Sequence, residues 1–363
     1  MATNMTHDFG IEIRHLYKIF GYQAHASIER VKKGMSKAEL LSNHSHVLGL
    51  KDINISMPSG GIQVIMGLSG SGKSTLIRHI NRLIDPTAGE VIVGGVDVLK
   101  MTPGDLREFR RHQISMVFQK FALLPNRTVL DNAVYGLEIQ GLPRNKQVDI
   151  AMRWLDRVGL NGYENHYPNQ LSGGMQQRVG LARALASDAP ILLMDEAFSA
   201  LDPLIRMDMQ SVLLDLQKEI KKTIVFITHD LDEALRIGDR VAILRDGEVV
   251  QQGTRQEIVM SPADDYIANF VKEVNRGRVI NVEAIMRPFV RVKAGATLSV
   301  PLGTSLESAV KQLVEASLDE LVVTNDQGVP VGQLALKSII ATMVTSTVSE
   351  APQVVQLRAA PKT

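Results

Sequence analysis

A glycine-rich segment that ends in a lysine and a serine has the pattern of a phosphate-binding loop. Residues 67–74 read GLSGSGKS, follow the apolar run 64–66 and precede a helical stretch that starts near Thr75. Glycines let backbone N–H groups converge on phosphates, and the N-terminal end of a helix adds positive potential there. In this pattern Lys73 contacts the β- and γ-phosphates, and the Ser74 hydroxyl binds Mg²⁺. The segment predicts a nucleoside triphosphate site, while kinases and GTPases stay open at this point.

Two carboxylates follow a second apolar run. Residues 191–194 read ILLM, and Asp195 and Glu196 come directly after them. A strand this apolar is expected to be buried, and its end then places both acids at the phosphate site. Asp195 is predicted to hold Mg²⁺, and Glu196 is predicted to polarise the attacking water. Paired acids in such a place are often solvated loop residues, but the phosphate loop favours the catalytic interpretation.

Two further polar residues stand at strand ends, where they would meet the phosphates. His229 follows the apolar run 224–228, and Gln119 follows the run 114–118. A neutral imidazole can contact a γ-phosphate and the catalytic acid, so His229 is predicted to sense whether the triphosphate is intact. Gln119 is predicted to reach Mg²⁺ or the water from the other side, and to report the nucleotide state to the helices that follow.

The elements that position these residues alternate between strands and helices. Between residue 47 and about residue 260, apolar runs separated by helical stretches have the pattern of a parallel α/β core. The predicted strands lie at residues 63–66, 191–194, 223–227 and 240–244. The motif residues follow several of these runs, so the pattern predicts one shared site at the ends of the strands.

Other segments are added to this core. Residues 11–20 are predicted as a strand and its exit turn, and a polar, helical insert follows at about 22–46, in which residues 36–39 have the S-x-x-E capping form. The stretch from 118 to about 170 reads as mostly helical and is broken by a proline turn at 142–145.

The chain is expected to form two folded domains and a tail. The first covers residues 1–275 and includes the insert and a helical subdomain at about 120–170. A polar joint then leads to a smaller α/β domain at 276–345. The tail, 346–363, lacks apolar periodicity and is predicted to be disordered.

Composition limits the function. With 363 residues, of which 45% are apolar and 22% charged, the chain can bury one large core and a smaller one. Lys and Arg number 40 against 39 Asp and Glu, so we expect no nucleic-acid partner. The absence of cysteine excludes disulfides and thiol catalysis and suits a reducing cytosol. We find no export signal and no apolar run as long as the roughly 18 residues of a membrane span, so any role in transport is expected to be peripheral.

Together the motifs resemble the ABC ATPase family over residues 11 to about 270. The resemblance implies an α/β fold, a P-loop ABC ATPase core with an inserted helical subdomain, and it adds the signature at 171–177 (LSGGMQQ) and the D-loop at 199–202 (SALD). It implies catalytic roles for Glu196, His229 and Gln119. It implies ATP contacts by Phe20, Gly67, Ser69, Gly70, Ser71, Gly72, Lys73, Ser74, Thr75, Ser172, Gly173, Gly174, Gln177 and Asp202. It implies Mg²⁺ ligation by Ser74, Gln119 and Asp195.

The adenine contact is the one assignment for which several residues are candidates. Phe20 stands where the family has an aromatic residue that stacks on adenine, but the insert follows it almost directly. Tyr17 or Tyr22 could take this place instead. A phenylalanine that only packs in the core is the remaining alternative.

The resemblance also implies a second copy of the chain as partner. Ser172 and Gly174 of one subunit would meet the γ-phosphate held by Lys73 of the other, so that two ATP molecules lie buried at a C2 interface. Neither subunit would then hold a complete site. Binding of ATP would close the pair, and hydrolysis would let it reopen.

Within the family, the chain resembles importer subunits of the glycine betaine and proline branch. The resemblance rests on the insert, on residues 65–70, on the long match at 192–206, in which Ala197 stands where many importers have proline, and on 229–234. It implies integral-membrane permease subunits as partners, a separate substrate-binding protein, and a location on the cytoplasmic face of the inner (plasma) membrane. Among glycine betaine, proline betaine, choline, carnitine and proline, the sequence does not choose.

The permease is expected to contact the helical subdomain. The residues proposed for this surface are Phe121, Leu123, Leu124, Pro125 and Val129, of which some are expected to serve ordinary packing.

The C-terminal domain resembles a single CBS unit, with a helix at 306–316, strands at 320–324 and 330–334, and a second helix at 336–343. Related proteins often carry two copies, so a nucleotide cleft within one chain is in doubt here. A basic segment lies at its start and contains Arg276, Arg278, Arg287, Arg291 and Lys293 against Glu283. Salt would screen its attraction to acidic lipid, which makes it a hypothetical sensor of ionic strength; a solvated dimerising surface is the alternative.

Two functions outside transport stay open at this point. One is a soluble ABC-type regulatory ATPase, which the lack of a basic surface and of a second motor disfavours. The other is a nucleotide sensor with little turnover, which would not need Glu196 and His229.

Overall fold

The computed structural model describes residues 9–199, 201–290 and 298–344. The chain folds as two units, Met1–Ile258 and Val259–Thr363. Among the described residues, no helix is both long enough and apolar enough to cross a membrane.

The division between the units lies earlier than the predicted boundary at 275/276. Residues 259–275 belong to the second unit, in which the Arg276 guanidinium donates to the carbonyl oxygen of Val259 at 3.0 Å. The polar joint expected near residue 276 is therefore part of a folded unit. Four elements of the predictions lie outside the described residues, namely Ala200, Arg291, Lys293 and the tail.

The first unit contains two sheets and the helices around them. Its strands are β1 (Ile11–Phe20), β2 (Val47–Met57), β3 (Ile62–Met66), β4 (Ala88–Val93), β5 (Val96–Asp97), β6 (Ile114–Val117), β7 (Ile191–Asp195), β8 (Thr223–Thr228), β9 (Arg240–Arg245) and β10 (Glu248–Thr254). Its helices are α1 (Ile28–Lys32), α2 (Lys37–His44), α3 (Lys73–Ile80), α4 (Pro103–His112), α5 (Val129–Ala133), α6 (Tyr135–Ile139), α7 (Arg144–Arg157), α8 (Gly173–Ala186), α9 (Pro203–Ile220), α10 (Leu231–Ile237) and α11 (Arg255–Met260), the last of which reaches the second unit.

The larger sheet has the order β10-β9-β3-β8-β7-β6, and β3, β6, β7, β8 and β9 run parallel. Strands β3, β7 and β8 are buried along their whole length, as expected of a parallel sheet covered on both faces. The carboxyl ends of parallel strands meet at one edge of the sheet, where ligands of such folds bind. The predicted site residues follow the four neighbouring strands β3, β8, β7 and β6.

The smaller sheet is antiparallel and has the order β2-β1-β4-β5. It packs against the larger sheet through a shared apolar core that includes Ile13 of β1, Ile53 of β2, Leu193 of β7 and Val225 of β8. This core also contains Leu76 and other apolar residues of α3. The helix behind the phosphate loop is thereby fixed against both sheets.

The insert at 22–46 forms short helices that begin with a tight turn at Ala24–Ser27. The predicted capping box is present, because Ser36 Oγ accepts from the Glu39 amide at 3.2 Å and Glu39 Oε2 accepts from the Ser36 amide at 2.8 Å. Val31 and Leu40 bury the insert against β1 and β2.

The stretch between β6 and β7 is mainly helical. Helices α5, α6, α7 and α8 lie here, and Pro143 occupies the N-cap of α7, at the predicted break. Proline suits the entry to a helix because its fixed φ angle is compatible with that position and a free N–H is not needed there. The signature segment leads directly into α8.

The second unit is a small α/β fold. It contains α12 (Asp265–Val271), α13 (Arg276–Val279), β11 (Arg287–Pro288), β12 (Leu298–Pro301), α14 (Leu306–Ala316), β13 (Glu320–Thr324), β14 (Pro330–Ala335) and α15 (Leu336–Val344). Its sheet has the order β11-β14-β13-β12, with β12 parallel to β13. Helix α14 buries Leu306, Ala309 and Leu313, which lie on one face. The predicted helices and strands are present, but no comparison tests the resemblance to a CBS unit, which stays a prediction.

Candidate nucleotide-binding site

The phosphate loop joins β3 to α3 and needs glycine at several positions. Gly67, Gly70 and Gly72 have positive φ angles of 151°, 79° and 102°. A Cβ atom on Gly67 would lie 2.2 Å from the carbonyl oxygen of Leu244, and one on Gly72 would lie 2.8 Å from that of Gly49. The sequence pattern therefore reflects both backbone conformation and close packing.

The start of α3 is prepared for an anion. Gly72 is its N-cap and supplies no side-chain acceptor, and the first turn contains no acidic residue. The first N–H groups of a helix lack partners within the helix, so they attract phosphate. Ser71 is almost fully buried, and its Oγ has no hydrogen-bond partner among the described residues. These features fit the phosphate groups of a nucleotide.

Lys73 is held at the centre of this loop. Its side chain is 5% exposed, and its Nζ donates to the carbonyl oxygens of Gly67 at 2.8 Å and Leu68 at 3.1 Å. The same Nζ lies 3.6 Å from Glu196 Oε1. A buried ammonium group is thus surrounded by oxygen atoms, and phosphate oxygens are equivalent partners for it.

Asp195, at the end of β7, meets α3. Ser74 Oγ donates to its Oδ1 at 2.8 Å, and Arg78 Nη2 lies 3.4 Å from its Oδ2. Hydroxyl and carboxylate oxygens are the ligands that Mg²⁺ prefers, so this pair fits the ion predicted here. Arg78 did not figure in the sequence predictions, although its i, i+4 spacing from Ser74 would have placed both on one face of the helix.

Glu196 is the meeting point of the predicted catalytic residues. Its Oε2 accepts from Gln119 Nε2 at 2.9 Å and lies 3.7 Å from His229 Nδ1, while Lys73 faces its other oxygen. Glu196 has a φ angle of 46°, a conformation that is uncommon for a residue other than glycine and is often found at functional sites. Residues that follow three different strands are therefore brought to one carboxylate, which itself follows a fourth strand.

The first residue of the D-loop is bonded to the backbone of Glu196. Ser199 donates to the carbonyl oxygen of Glu196 through its amide at 3.2 Å and through its Oγ at 2.9 Å. Asp202 is the N-cap of α9, and its Oδ1 accepts from the amides of Leu204 and Ile205 at 3.1 Å each. Its predicted contact with nucleotide stays a prediction, because within this chain the side chain serves its own helix.

The signature segment presents its first residues to solvent. Ser172 and Gly173 are exposed, and Ser172 is the N-cap of α8, where its Oγ accepts from the Met175 amide at 3.3 Å. A Cβ on Gly174 would lie 2.8 Å from Ile205 of α9. Gln177 is completely buried, and neither of its amide atoms has a hydrogen-bond partner among the described residues. In this conformation Gln177 is therefore not on the surface that Ser172 and Gly173 form.

Of the aromatic candidates for an adenine contact, Phe20 and Tyr22 remain. Phe20 is 40% exposed and Tyr22 is 86% exposed, whereas Tyr17 is only 8% exposed and lies in the core beneath the insert. The Nζ of Lys18 lies 5.0 Å from the centre of the Phe20 ring. Cations attract the face of an aromatic ring, so this contact helps to hold the ring in place.

The surface proposed for the permease changes in one respect. Val129 is completely buried, so among the five candidates it is one of those that serve ordinary packing, as the sequence analysis allowed. Phe121 and Ala122 have φ angles of 56° and 49°, and Arg183 donates to both of their carbonyl oxygens, at 3.2 and 2.7 Å. The segment after Gln119 is thus tied to α8 by an arginine that the sequence analysis missed.

The sequence model described as "ABC transporter" matches residues 50–199. The chain is 51% identical over 298 residues to the glycine betaine transport ATP-binding protein OpuAA of Bacillus subtilis strain 168, covering 82% of this chain and 71% of the relative. It is 48% identical over 329 residues to the glycine betaine/proline betaine transport system ATP-binding protein ProV of Escherichia coli K12. These residues cover 91% of this chain and 81% of the relative.

The chain is also similar to a protein named for transport of a different solute. The trimethylamine N-oxide transport system ATP-binding protein TmoW of Ruegeria pomeroyi is 43% identical over 324 residues, which cover 89% of this chain and 94% of the relative. Among solved structures, a dimeric bacterial ABC transporter cassette, MJ0796, is similar with a TM-score of 0.58 and 33% identity, over 68% of this chain and 98% of that chain. A structure of the same cassette bound to ADP and Pi, in a post-hydrolysis state, is similar with the same TM-score, identity and coverage.

Proposed function

Because this chain belongs to the ATP-binding proteins of ABC transporters, we propose that it hydrolyses ATP to energise import of a quaternary-amine osmolyte. The osmolyte would pass through separate membrane permease subunits and be delivered by a substrate-binding protein. The similar proteins are named for transport of glycine betaine, proline betaine, carnitine or trimethylamine N-oxide. These solutes share a small methylated amine group, which supports the substrate class but does not choose one member.

The convergence of Lys73, Gln119 and His229 on Glu196 is the observation that carries this proposal. In this proposal, Glu196 accepts a proton from the water that attacks the terminal phosphate. Gln119 donates to the carboxylate and His229 lies next to the same oxygen, while Lys73 balances its charge and that of the phosphates. A protein that only bound the nucleotide would not need this arrangement.

Mg²⁺ is proposed at the neighbouring pair Ser74 and Asp195. When bound, the ion supplies charge neutralisation to the phosphate oxygens. Ser74 and Asp195 already lie side by side, and Gln119 lies on the other side of the site, next to Glu196. Arg78 holds the second oxygen of Asp195 and keeps the carboxylate turned toward the loop.

We further propose that two copies of the chain form the complete site. Ser172 and Gly173 are exposed at the start of α8, as required for groups that a partner chain uses. The similar solved cassette is dimeric. In such a pair, Ser172 of one copy would face the phosphates bound near Lys73 of the other.

Uptake and turnover test the proposed function together. Cells with and without this chain are given radiolabelled glycine betaine, proline betaine, choline, carnitine and proline, before and after an osmotic upshift. We expect uptake of at least one solute to depend on the chain, and to be lost with Glu196→Gln, which should still bind ATP. Uptake that is unaffected by the loss of the chain would refute the transport role, and near-normal ATP turnover by Glu196→Gln would remove this residue from its role.

The second unit is proposed as the regulatory part of the protein. Arg278 forms an ion pair with Glu307 at 3.0 Å and Arg276 donates to a backbone oxygen, so both basic groups already have partners in the protein. Among the described residues of the basic segment, Arg287 is exposed and is the remaining candidate for a salt-screened contact. We expect Arg287→Gln to reduce the salt activation of reconstituted transport. Unchanged salt activation would favour the alternative of a solvated dimerising surface.

A further inference from the structure

Arg206 joins two loops of the nucleotide-binding site. It lies in the first turns of α9, and its Nη2 donates to the carbonyl oxygen of Leu201 in the D-loop at 3.2 Å. Its Nη1 donates to Asp230 Oδ2 at 3.3 Å. Asp230 is the residue after His229, so one guanidinium group spans from the D-loop to the loop that carries the histidine.

Asp230 is held firmly from its other side. Its Oδ1 accepts from the Glu233 amide at 3.1 Å and caps α10, and its own amide donates to Thr228 Oγ1 at 3.0 Å. His229 lies between these fixed residues, and its Nδ1 is 3.7 Å from Glu196 Oε2. A displacement of Arg206 would therefore act on the backbone that sets the position of the imidazole.

The other end of this connection reaches the signature segment. A Cβ atom on Gly174 would lie 2.8 Å from Ile205 and 3.9 Å from Leu201, so both residues pack closely against that glycine. Ile205 precedes Arg206, and Leu201 supplies the carbonyl that Arg206 holds. A series of packed and hydrogen-bonded groups thus runs from Gly174 of the signature to the loop of His229, whose Nδ1 lies 3.7 Å from Glu196 Oε2.

A purely structural link between α9 and α10 already exists elsewhere. Arg236 of α10 donates to Gln210 Oε1 and to Ser211 Oγ of α9, both at 3.0 Å. Arg206 is different, because its partners are a D-loop carbonyl and the neighbour of His229. The two arginines therefore offer a matched comparison between a helix tie and a link between loops.

We propose that Arg206 is a positioning residue that couples the D-loop and the signature surface to His229. The inference rests on the proposed function, in which the signature surface of one copy contacts the nucleotide of its partner. Engagement of that surface would then be transmitted within the same chain to the pair of His229 and Glu196. In this way, the nucleotide state of one site would influence hydrolysis at the other.

A double-mutant cycle on ATP hydrolysis tests this link. The full chain carries Arg206→Met, His229→Ala or both, and rates are measured with enzyme in excess over ATP, so that the low rate of His229→Ala is quantified. We expect Arg206→Met to lower the rate constant by about tenfold or more, with an affinity for ATP within about twofold of wild type. In the His229→Ala background, the same change is expected to lower the rate by less than about twofold, because its target is already absent.

Two controls separate this role from a loss of folding. Arg236→Met removes the neighbouring tie between the same helices and is expected to leave the rate near that of wild type. Asp230→Asn can still cap α10 but weakens the ion pair with Arg206, and is expected to lower the rate in the same direction by a smaller factor. Thermal unfolding and ATP affinity of each variant show whether the nucleotide-binding unit is intact.

The outcomes are distinct. If Arg206→Met lowers the rate by the same factor with and without His229, or if Arg236→Met is equally harmful, the coupling role is refuted while the proposed function stands. If the wild-type protein does not hydrolyse ATP, the proposed function fails and the coupling role fails with it.

Discussion

The phosphate loop and the signature segment are both glycine-rich and both lead into a helix, yet their surroundings differ. Lys73 is buried and lies among the carbonyl oxygens of Gly67 and Leu68 and the carboxylate of Glu196. Ser172 and Gly173 are exposed. One segment is therefore the centre of a catalytic half-site assembled within the chain, whereas the other has the character of a surface that is offered to a partner.

The two helix starts explain part of this difference. Helix α3 has Gly72 at its N-cap and no side-chain acceptor for its first N–H groups, while α8 has Ser172, whose Oγ accepts from the Met175 amide. The uncapped start attracts an anion, and the capped start is already satisfied by its own residue. Similar sequence composition thus serves phosphate binding at the start of α3 and the exposure of a surface at the start of α8.

Mixing two inactive variants gives the largest expected effect. Glu196→Gln removes the catalytic carboxylate, and Ser172→Arg blocks the signature surface, so each alone should lower ATP turnover by about 100-fold or more. In an equal mixture, about half of the pairs are mixed, and each mixed pair keeps one intact site, so about a quarter of wild-type turnover should return. Steady-state phosphate release measures this recovery.

The matched control for that mixture pairs two defects in the same half-site. Glu196→Gln mixed with Lys73→Met should recover no turnover, because no combination restores a catalytic half. If the first mixture also stays inactive although both variants bind ATP, the idea that the site is shared between two copies is contradicted.

Replacing one glycine of each segment with alanine should lower the free energy of unfolding by different amounts. Gly67→Ala places a Cβ 2.2 Å from the oxygen of Leu244 at a φ angle of 151°, and we expect a loss of about 3 kcal/mol or more. At Gly173 the nearest atom, Cζ of Phe121, is 3.6 Å away, an ordinary contact, so Gly173→Ala should change stability by less than about 1 kcal/mol. Urea unfolding provides both values, and equal losses would argue against the difference in packing.

The helix behind the phosphate loop should also respond to acid. His79 of α3 is completely buried, and burial lowers its pKa from 6.5 to about 4, although the carbonyl of Thr75 accepts from its Nδ1 and partly opposes the shift. The unfolded chain takes up a proton below pH 6.5 and the folded chain does not, so stability is full above pH 6.5 and falls as the pH drops toward about 4. Helix α8, by contrast, has no histidine, aspartate or glutamate in its sequence, so no group of that helix titrates in this pH range.

His79→Asn keeps a donor for the Thr75 carbonyl but cannot titrate. Between pH 7 and pH 4, we expect the wild type to lose about 3 kcal/mol more than this variant in urea unfolding. His112→Asn, on the surface of α4, is the control and should follow the wild type. If the free energy of unfolding changes with pH in the same way for wild type and His79→Asn, His79 does not cause the acid sensitivity.

The smallest expected effect concerns the cap of the signature helix. Ser172→Ala removes the acceptor for the Met175 amide and should cost about 1 kcal/mol of unfolding free energy, while Ser172→Asn keeps a cap and should cost less than half of that. Chemical denaturation of the isolated protein without ATP measures these differences. A larger loss for Asn than for Ala would indicate that Ser172 is buried by contacts other than its cap.

Much of the core could be predicted from the sequence, because the relevant signals are local. The apolar runs predicted as strands 63–66, 191–194 and 223–227 are β3, β7 and β8, and the capping box at residues 36–39 forms as expected. Since parallel strands align their carboxyl ends, residues that follow neighbouring strands were also expected to meet. Glu196, Gln119 and His229 do lie together.

The sequence did not settle the surroundings of side chains whose environment depends on distant elements. Val129 was one of five candidates for the permease surface and is buried. Gln177 of the signature is also buried, and its contact with nucleotide stays a prediction. Arg206 was not singled out because its two partners come from different loops, and Asp230 is 24 positions away along the chain. Helical periodicity identifies a face, but it does not tell which neighbour will cover that face.

The sequence by itself determined which chemistry the chain can perform, since the phosphate loop, the paired acids and the signature are short patterns tied to backbone conformation and residue type. The tertiary structure alone decided how these parts are connected. It placed Lys73 against Glu196, brought Arg78 to Asp195 and linked the D-loop to His229 through Arg206. The physical reason is that such contacts join residues far apart in sequence, so they depend on strand order and on the packing of helices rather than on local preference.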